Sequence, residues 1–308
     1  MKRVIITAAN SFIGRRVTKV LSENGYYVYA VVRNTFTDHD IFKEMVNCKI
    51  IHCDMNEYDA LGKCIAERCD IGIAMAWDGT RGIDRSDKEK QENNFKNSAD
   101  AINSFIALGC SKIITAGSQA EYGSCFGKRK ITEEDICRPN TAYGVSKLKL
   151  FEYAERRCAE NRIVLIEPRY FSLYGEDDYA GTMIISIIRK MLKHKPCELT
   201  ECIQQWDFLY IDDAVNALYK LLVSETAEGI YNIGSGISRP LREYIEEMRR
   251  ISDSRSELLY GTIPYPETGI VNTNPAIDKL LNTIGWKPET SFEEGICEVI
   301  RYQKGIVL

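Results

Sequence analysis

The chain is poor in the residues that would mark a metal, membrane or nucleic-acid protein. It has only three histidines, and its 11 cysteines are scattered, with no Cys-x-x-Cys pair. Cys64/Cys69 and Cys197/Cys202 are each five apart, which is not a zinc-ligand spacing, so no metal is expected. An odd, dispersed set of thiols reads as reduced, and hence as cytoplasmic. No apolar run approaches the ~20 residues of a membrane span, and Met1-Lys2-Arg3 leads straight into a strand rather than a signal peptide. Net charge is −4. The longest basic run, Lys128-Arg129-Lys130, is followed by Glu133-Glu134-Asp135 and reads as a solvated loop, so neither nucleic acid nor a membrane surface is expected as partner. Internal repeats and low-complexity linkers are also missing.

What is present is a regular alternation over the first ~170 residues, within a chain of 308 that is 44% hydrophobic. Apolar runs at 3–7, 26–32, 49–53, 70–76, 111–116 and 162–167 read as buried strands. Helix-like stretches at 15–24, 57–68, 88–108 and 142–157 lie between them. This order predicts a doubly wound parallel sheet. The last third changes character: helices at 182–193, 214–224, 241–252 and 292–304 are interspersed with a strand and turn at 229–236 and a Pro-bearing stretch at Pro264 and Pro266. The expected division is 1–171 with 207–228 as one domain, and 172–206 with 229–308 as a smaller, interwoven α+β lobe.

Four strand ends carry chemistry-bearing residues. After the first strand, Ala8-Ala9-Asn10-Ser11-Phe12-Ile13-Gly14 opens a helix. Backbone N–H groups and the helix dipole make such a turn an anion site, although Ala8 and Ser11 stand where two glycines are usual. After the second strand comes Arg33 rather than the acidic residue that would bind ribose hydroxyls. Arg33 suits a 2′-phosphate, or is simply solvated. After the third, Asp54-Met55 either touches an adenine edge or caps the next helix. The fourth strand ends in Trp77-Asp78-Gly79-Thr80-Arg81-Gly82, a polar loop at the carboxyl edge of the sheet, where ligands bind in open α/β folds.

The clearest chemical signal is Tyr143 with Lys147. On a helix these side chains lie on one face, and of 17 tyrosines only Tyr143 has Lys at the fourth position after it. A phenol with pKa ~10 needs help to exchange a proton near neutrality, and an adjacent ammonium favours the phenolate.

Taken in order, these features resemble the extended short-chain dehydrogenase/reductase superfamily, specifically its sugar-nucleotide epimerase/dehydratase family. The resemblance runs through Thr7–Gly14, Asn94, Ser118 with Tyr122-Gly123, Tyr143/Lys147, Arg169-Tyr170-Phe171-Ser172, Asp207–Asp213, Tyr231–Gly236 and Gly285-Trp286-Lys287-Pro288. It implies a Rossmann-type domain with Ser118, Tyr143 and Lys147 as the catalytic group, Lys147 lowering the pKa of Tyr143. It implies cofactor contacts from Ala8, Asn10, Ser11, Phe12, Ile13, Gly14, Arg33, Asp54, Met55, Ala74, Met75, Ala76, Asn94, Arg169 and Phe171, besides Tyr143 and Lys147; for Arg169 a buried ion pair is an equal reading. Substrate contacts would come from Trp77, Gly79, Thr80, Gln119, Ala120, Ser172 and Trp206. A family arginine after Pro-Tyr near position 265 is absent, and Pro266 follows instead. Members of the family dimerise through helices matching 88–108 and 142–160, which implies a homodimer here.

Dehydratases of the family carry an Asp-Glu pair after the residue matching Ser118. Here Gln119 and Ala120 supply neither acid nor base, and Glu121 would face the other way. The degenerate glycine turn and Arg33 favour NADP(H), exchanged each turnover, with NAD(H) the alternative. The reading is a reductase of a nucleotide-linked 4-keto-6-deoxy sugar, as in surface-polysaccharide synthesis. A nucleotide-sugar 4-epimerase and a non-catalytic NADP-sensing protein are the alternatives.

Overall fold

The computed structural model describes residues 1–123, 129–265 and 269–307. Lys128 and Pro266 lie outside these residues. Two compact units are present. The first takes Met1–Gly123, Ile136–Tyr170 and Leu218–Tyr231; the second takes Phe171–Ala217 and the described residues from Asn232 on, with those just before Ile136. Residues 207–217 therefore group with the second unit, and 229–231 with the first, unlike the division drawn from sequence.

In the first unit the order is β1 (Arg3–Thr7), α1 (Gly14–Glu23), β2 (Tyr27–Val32), β3 (Cys48–His52), α2 (Leu61–Cys64), β4 (Ile71–Ala74), α3 (Lys88–Ala107), β5 (Lys112–Thr115), β6 (Gly117–Ser118), α4 (Ala142–Asn161) and β7 (Val164–Tyr170). The chain continues with β8 (Ser172–Tyr174), α5 (Met183–Leu192), β9 (Cys197–Glu198), β10 (Gln205–Trp206), β11 (Phe208–Tyr210), α6 (Ile211–Val223) and β12 (Gly229–Ile233). Among the described residues the main sheet runs β12-β7-β5-β4-β1-β2-β3, with β6 beside β7. From β7 to β3 every pairing is parallel. Helices cover both faces, which is why the strands read as near-continuous apolar runs: Val4, Ile5 and Ile6 are fully buried. Ile102 and Phe105 of α3 and Leu150 and Ala154 of α4 complete the core beside β4 and β5.

Two expected elements differ. The helix at 57–68 is a 3₁₀ turn, Met55–Ala60, followed by a single α-turn that stops at Cys64. Asp54 and Glu57 do form a capping box, but Ile65 turns extended and buries its side chain in the core, and that burial outweighs helix propensity. The strand at 162–167 starts later and runs further. The preceding helix continues to Asn161 and ends on Arg162 in the left-handed region, so β7 carries Arg169 and Tyr170 within the sheet.

The second unit is α+β. β8 pairs β11 in parallel; β10 pairs antiparallel with β13 (Arg239–Pro240), and β9 in parallel with β14 (Leu258–Leu259). Helices α7 (Leu241–Ile251), α8 (Asp278–Ile284) and α9 (Phe292–Val307) complete it. Phe208 packs at 5.0 Å from Tyr244 and 5.7 Å from Phe292, and Tyr174 joins them. Each such ring contributes roughly 1.5–3 kcal/mol by burial. Asp213, in the motif at 207–213, accepts the backbone N–H groups of Glu289 and Thr290.

Candidate active site

Parallel strands deliver their carboxyl ends to one edge of the sheet, and the sheet order reverses at β1, between β2 and β4. There the Thr7 hydroxyl accepts the backbone N–H groups of Met75 and Ala76 at 3.0 and 3.1 Å, tying the two strand ends together. Ala8 follows with φ +51°, a conformation that costs a residue with a Cβ roughly 1–2 kcal/mol. The bend is held by Ser11 N–H donating to the Ala8 carbonyl at 2.9 Å, and by Gly14 N–H donating to Ser11 Oγ at 3.1 Å. A Cβ on Gly14 would lie 2.2 Å from the Ala8 oxygen and 2.8 Å from Ser11 Oγ. The turn thus keeps the tight form with one glycine, and Ser11 stabilises it with its side chain.

A cavity of about 450 Å³ is lined among others by Arg33, Asp54, Met55, Asp78 and Asn94. The turn closed by Gly14 keeps the close backbone approach that a dinucleotide phosphate takes. Asp54 accepts Asn34 N–H at 2.9 Å as well as capping the turn that follows, so the capping role drawn from sequence is present and the residue also faces the cavity. Asn94 spends its side chain on the Trp77 loop: Oδ1 accepts Asp78 N–H at 3.0 Å and Nδ2 donates to Asp78 O at 2.7 Å. Gln91, three residues earlier on the same helix face and fully buried, accepts the Trp77 indole N–H at 2.7 Å and donates to Gly79 O at 3.0 Å. Sequence reading missed Gln91, although its i, i+3 relation to Asn94 would have shown it.

Ser118, Tyr143 and Lys147 converge. β6 places Ser118 beside Tyr170 of β7, and Thr141 caps α4 by accepting Gly144 N–H at 3.1 Å. The Ser118 hydroxyl faces the Tyr143 phenol and favours its ionised form. Lys147 Nζ donates to Ala116 O at 2.8 Å, lies 3.8 Å from the centre of a Trp77 ring and 5.9 Å from that of Tyr143. The Trp77 edge meets Tyr143 at 6.1 Å, and the Arg85 guanidinium stacks over the phenol at 4.5 Å while donating to Thr80 O. No spacing in the sequence marked Arg85.

The electrostatics depart from expectation. Burial raises the Tyr143 pKa; the Ser118 hydroxyl and then Arg85 oppose that rise. The Lys147 ammonium is itself pulled down to about 8, by burial first, with Glu121 and Glu167 pushing it back up. At 5.9 Å and without a direct hydrogen bond, the Lys–Tyr pairing is weaker than the loss of hydration.

Arg169, expected among the cofactor contacts, is 1% exposed and sits in an ion pair with Glu121 at 2.9 Å and Glu167 at 3.0 Å. It is enclosed because β7 extends past Pro168 and carries it into the sheet. Glu121 faces inward from a 3₁₀ turn, Gln119–Glu121, rather than outward from a strand. Ala120 is buried, its N–H on Ser118 Oγ at 3.2 Å, and Gln119 is partly exposed. Asn10, Phe12, Ile13 and Ala74 lie in or beside the turn and the β4 end. Phe171, Ser172 and Trp206 belong to the second unit, where the Trp206 indole nitrogen is buried without a hydrogen-bond partner. Among the described residues no cluster of His, Cys, Asp and Glu could hold a metal, and no helix is long and apolar enough to cross a membrane.

Fold and comparisons together define a nicotinamide-dependent oxidoreductase, with Ser118, Tyr143 and Lys147 as its candidate centre. The chain belongs to the NAD dependent epimerase/dehydratase family, whose profile matches residues 4–234, and it is an enzyme of that family. It is 25% identical over 304 residues to CDP-abequose synthase of Salmonella muenchen, covering 97% of each chain. It is 29% identical over 223 residues to dTDP-4-dehydro-6-deoxyglucose reductase of Escherichia coli, covering 70% of this chain and 68% of that one. The fold matches the UDP-glucose 4-epimerase of Thermotoga maritima with a TM-score of 0.89 at 20% identity, over 99% of this chain and 100% of that one.

Proposed function

We propose that the protein is an NADP(H)-dependent reductase of a nucleotide-linked 4-keto-6-deoxy sugar. The observation that carries this reading is the buried Tyr143 phenol grouped with Ser118 and Lys147, with no free carboxylate beside them among the described residues. Burial raises the Tyr143 pKa, so the phenol holds its proton near neutrality, which suits a donor to a carbonyl oxygen rather than an abstracting base. Gln119 and Ala120 cannot do the acid/base work of dehydration, and Glu121, 0% exposed and bonded to Arg169, cannot reach a substrate. Similarity to a 4-dehydro-6-deoxy-sugar reductase over 70% of the chain supports the same direction.

In this reading Ser118 orients the sugar carbonyl, Tyr143 delivers a proton to its oxygen, and the Lys147 ammonium stabilises the phenolate left behind. When bound, the nicotinamide supplies the hydride; residues 8–14, Arg33, Asp54, Met55 and Asn94 would hold the dinucleotide. Arg33, exposed at the cavity rim, favours the 2′-phosphate of NADP(H). Ser172 and Trp206 would be further substrate contacts, and the chain would pair with a second copy through α3 and α4.

The test follows nicotinamide absorbance with NADPH or NADH and a panel of nucleotide-linked 4-keto sugars, with the sugars analysed afterwards. Stoichiometric NADPH loss with a reduced sugar is expected, and Tyr143→Phe should lower kcat by at least about a thousandfold while NADPH binding stays within about twofold. Interconversion of ordinary nucleotide hexoses without cofactor loss would replace the reductase with an epimerase.

A further inference from the structure

Beneath Ser118 the fold buries three charged side chains that the mechanism above does not use. Glu121 Oε1 accepts the Ser118 backbone N–H at 2.6 Å, while its Oε2 and Glu167 Oε1 both converge on Arg169 Nε at 2.9 and 3.0 Å. The Arg169 guanidinium is sandwiched by Tyr122 at 4.7 Å and Phe151 at 5.6 Å. Gly117 is needed for this: a Cβ there would meet Glu167 Cγ at 2.8 Å and Arg169 Cγ at 2.9 Å. A buried ion cluster is not in general more stabilising than an apolar one of the same shape, so its presence calls for another reason. Lys147 is the neighbouring buried cation, and a carbonyl and an indole face cannot neutralise an ammonium removed from water.

We propose that Glu121 is a positioning residue of this site: its carboxylate fixes the Ser118 turn and is the buried negative charge that balances the Lys147 ammonium. This rests on reading Ser118, Tyr143 and Lys147 as the acid/base group. The charged and titratable groups around it are consistent. Glu121 comes from the turn after β6, Glu167 and Arg169 from β7, Tyr143 from the helix of Lys147 itself, and Arg81 and Arg85 face Tyr143 from the Trp77 loop and the turn after it. Glu121 is the larger of the two carboxylate influences holding Lys147 up, and Glu167, crowded by burial and by Glu121, is driven well above the usual carboxylate range and holds a proton more readily. Loss of the Glu121 charge therefore has more effect on Lys147 than loss of Glu167.

The experiment reads the NADPH dissociation constant by fluorescence from pH 7 to 10, with the melting temperature of each variant alongside. In the wild type, affinity is expected to fall with a midpoint near pH 8, as Lys147 loses its proton, and Lys147→Met should abolish that dependence. Glu121→Gln keeps an acceptor for Ser118 N–H and removes the charge; it should move the midpoint down by about one pH unit. Glu167→Gln should move it the same way but less, and Glu121→Asp should leave it in place. A folded Glu121→Gln protein with an unmoved midpoint overturns the proposal while the acid/base reading stands. If Glu121→Gln does not fold, a midpoint that falls in Glu121→Asp, which keeps the charge, overturns it instead. A wild type without the Lys147-dependent titration takes down the acid/base reading and, with it, the proposal.

Discussion

Lys147 donates to the carbonyl oxygen of Ala116 at 2.8 Å, a side chain of α4 bonded to the backbone just past the end of β5. This contact ties the helix to the strand edge from which Ser118 projects, and it buries an ammonium. A depression from 10.5 to about 8 corresponds to roughly 3 kcal/mol disfavouring the charged form in the folded chain.

The sign of that cost makes a stability prediction. The folded pKa lies below the unfolded one, so between about pH 8 and 10.5 the unfolded chain binds more protons and stability gains with rising pH. Urea melts at pH 7.5, 9 and 10 should show this gain in the wild type and lose it in Lys147→Met. A variant that retains the full gain would show that some other group titrates.

The phosphate turn has two opposed glycine tests. Ala8→Gly removes the cost of a Cβ at φ +51° and should stabilise the fold by about 1 kcal/mol, less the extra freedom of glycine in the unfolded chain. Gly14→Ala drives a Cβ to 2.2 Å from the Ala8 oxygen and must open the turn. It should weaken NADPH binding more than about tenfold and lower the melting temperature. Unchanged cofactor affinity in Gly14→Ala would mean that the dinucleotide does not use this turn.

Arg33 decides between cofactors if it faces the 2′-phosphate. Arg33→Ala should raise the NADPH dissociation constant about tenfold, the equivalent of one charge-assisted contact, and leave NADH within about twofold. Equal effects on both, measured by fluorescence titration, would count against a phosphate contact.

In the second unit, Asp207 accepts Ser235 N–H at 2.8 Å and the Ser235 hydroxyl at 2.7 Å. Burial nevertheless raises its pKa from 3.8 to about 6. The stability this carboxyl contributes is present below pH ~4 and lost as pH rises through 6. Asp207→Asn should therefore be as stable as the wild type, or more so, at pH 8, and its advantage should shrink at pH 5. Asp207→Ala strands a buried N–H and should cost about 1–3 kcal/mol at both. Chemical denaturation at the two pH values separates these outcomes.

The strand–helix alternation, the turn after β1 and the Tyr143/Lys147 pair were legible in the amino-acid order because each rests on local geometry. Periodicity marks which face is apolar, and a four-residue spacing stacks two side chains on one helix face whatever surrounds them. Ser118 was legible by its place after a strand. The stop at Cys64, the left-handed Ala8 and the partners of Arg169 were not, since each depends on what packs against it. Glu121, one of three residues between Ser118 and Tyr122, carries no local mark of its partner on β7, 48 positions away. Only the approach of β6 to β7 makes the two charges meet, and only the burial of both with Lys147 turns an ordinary helix-face lysine into one poised near pH 8. Desolvation belongs to the assembled fold, and no spacing of residues encodes its size.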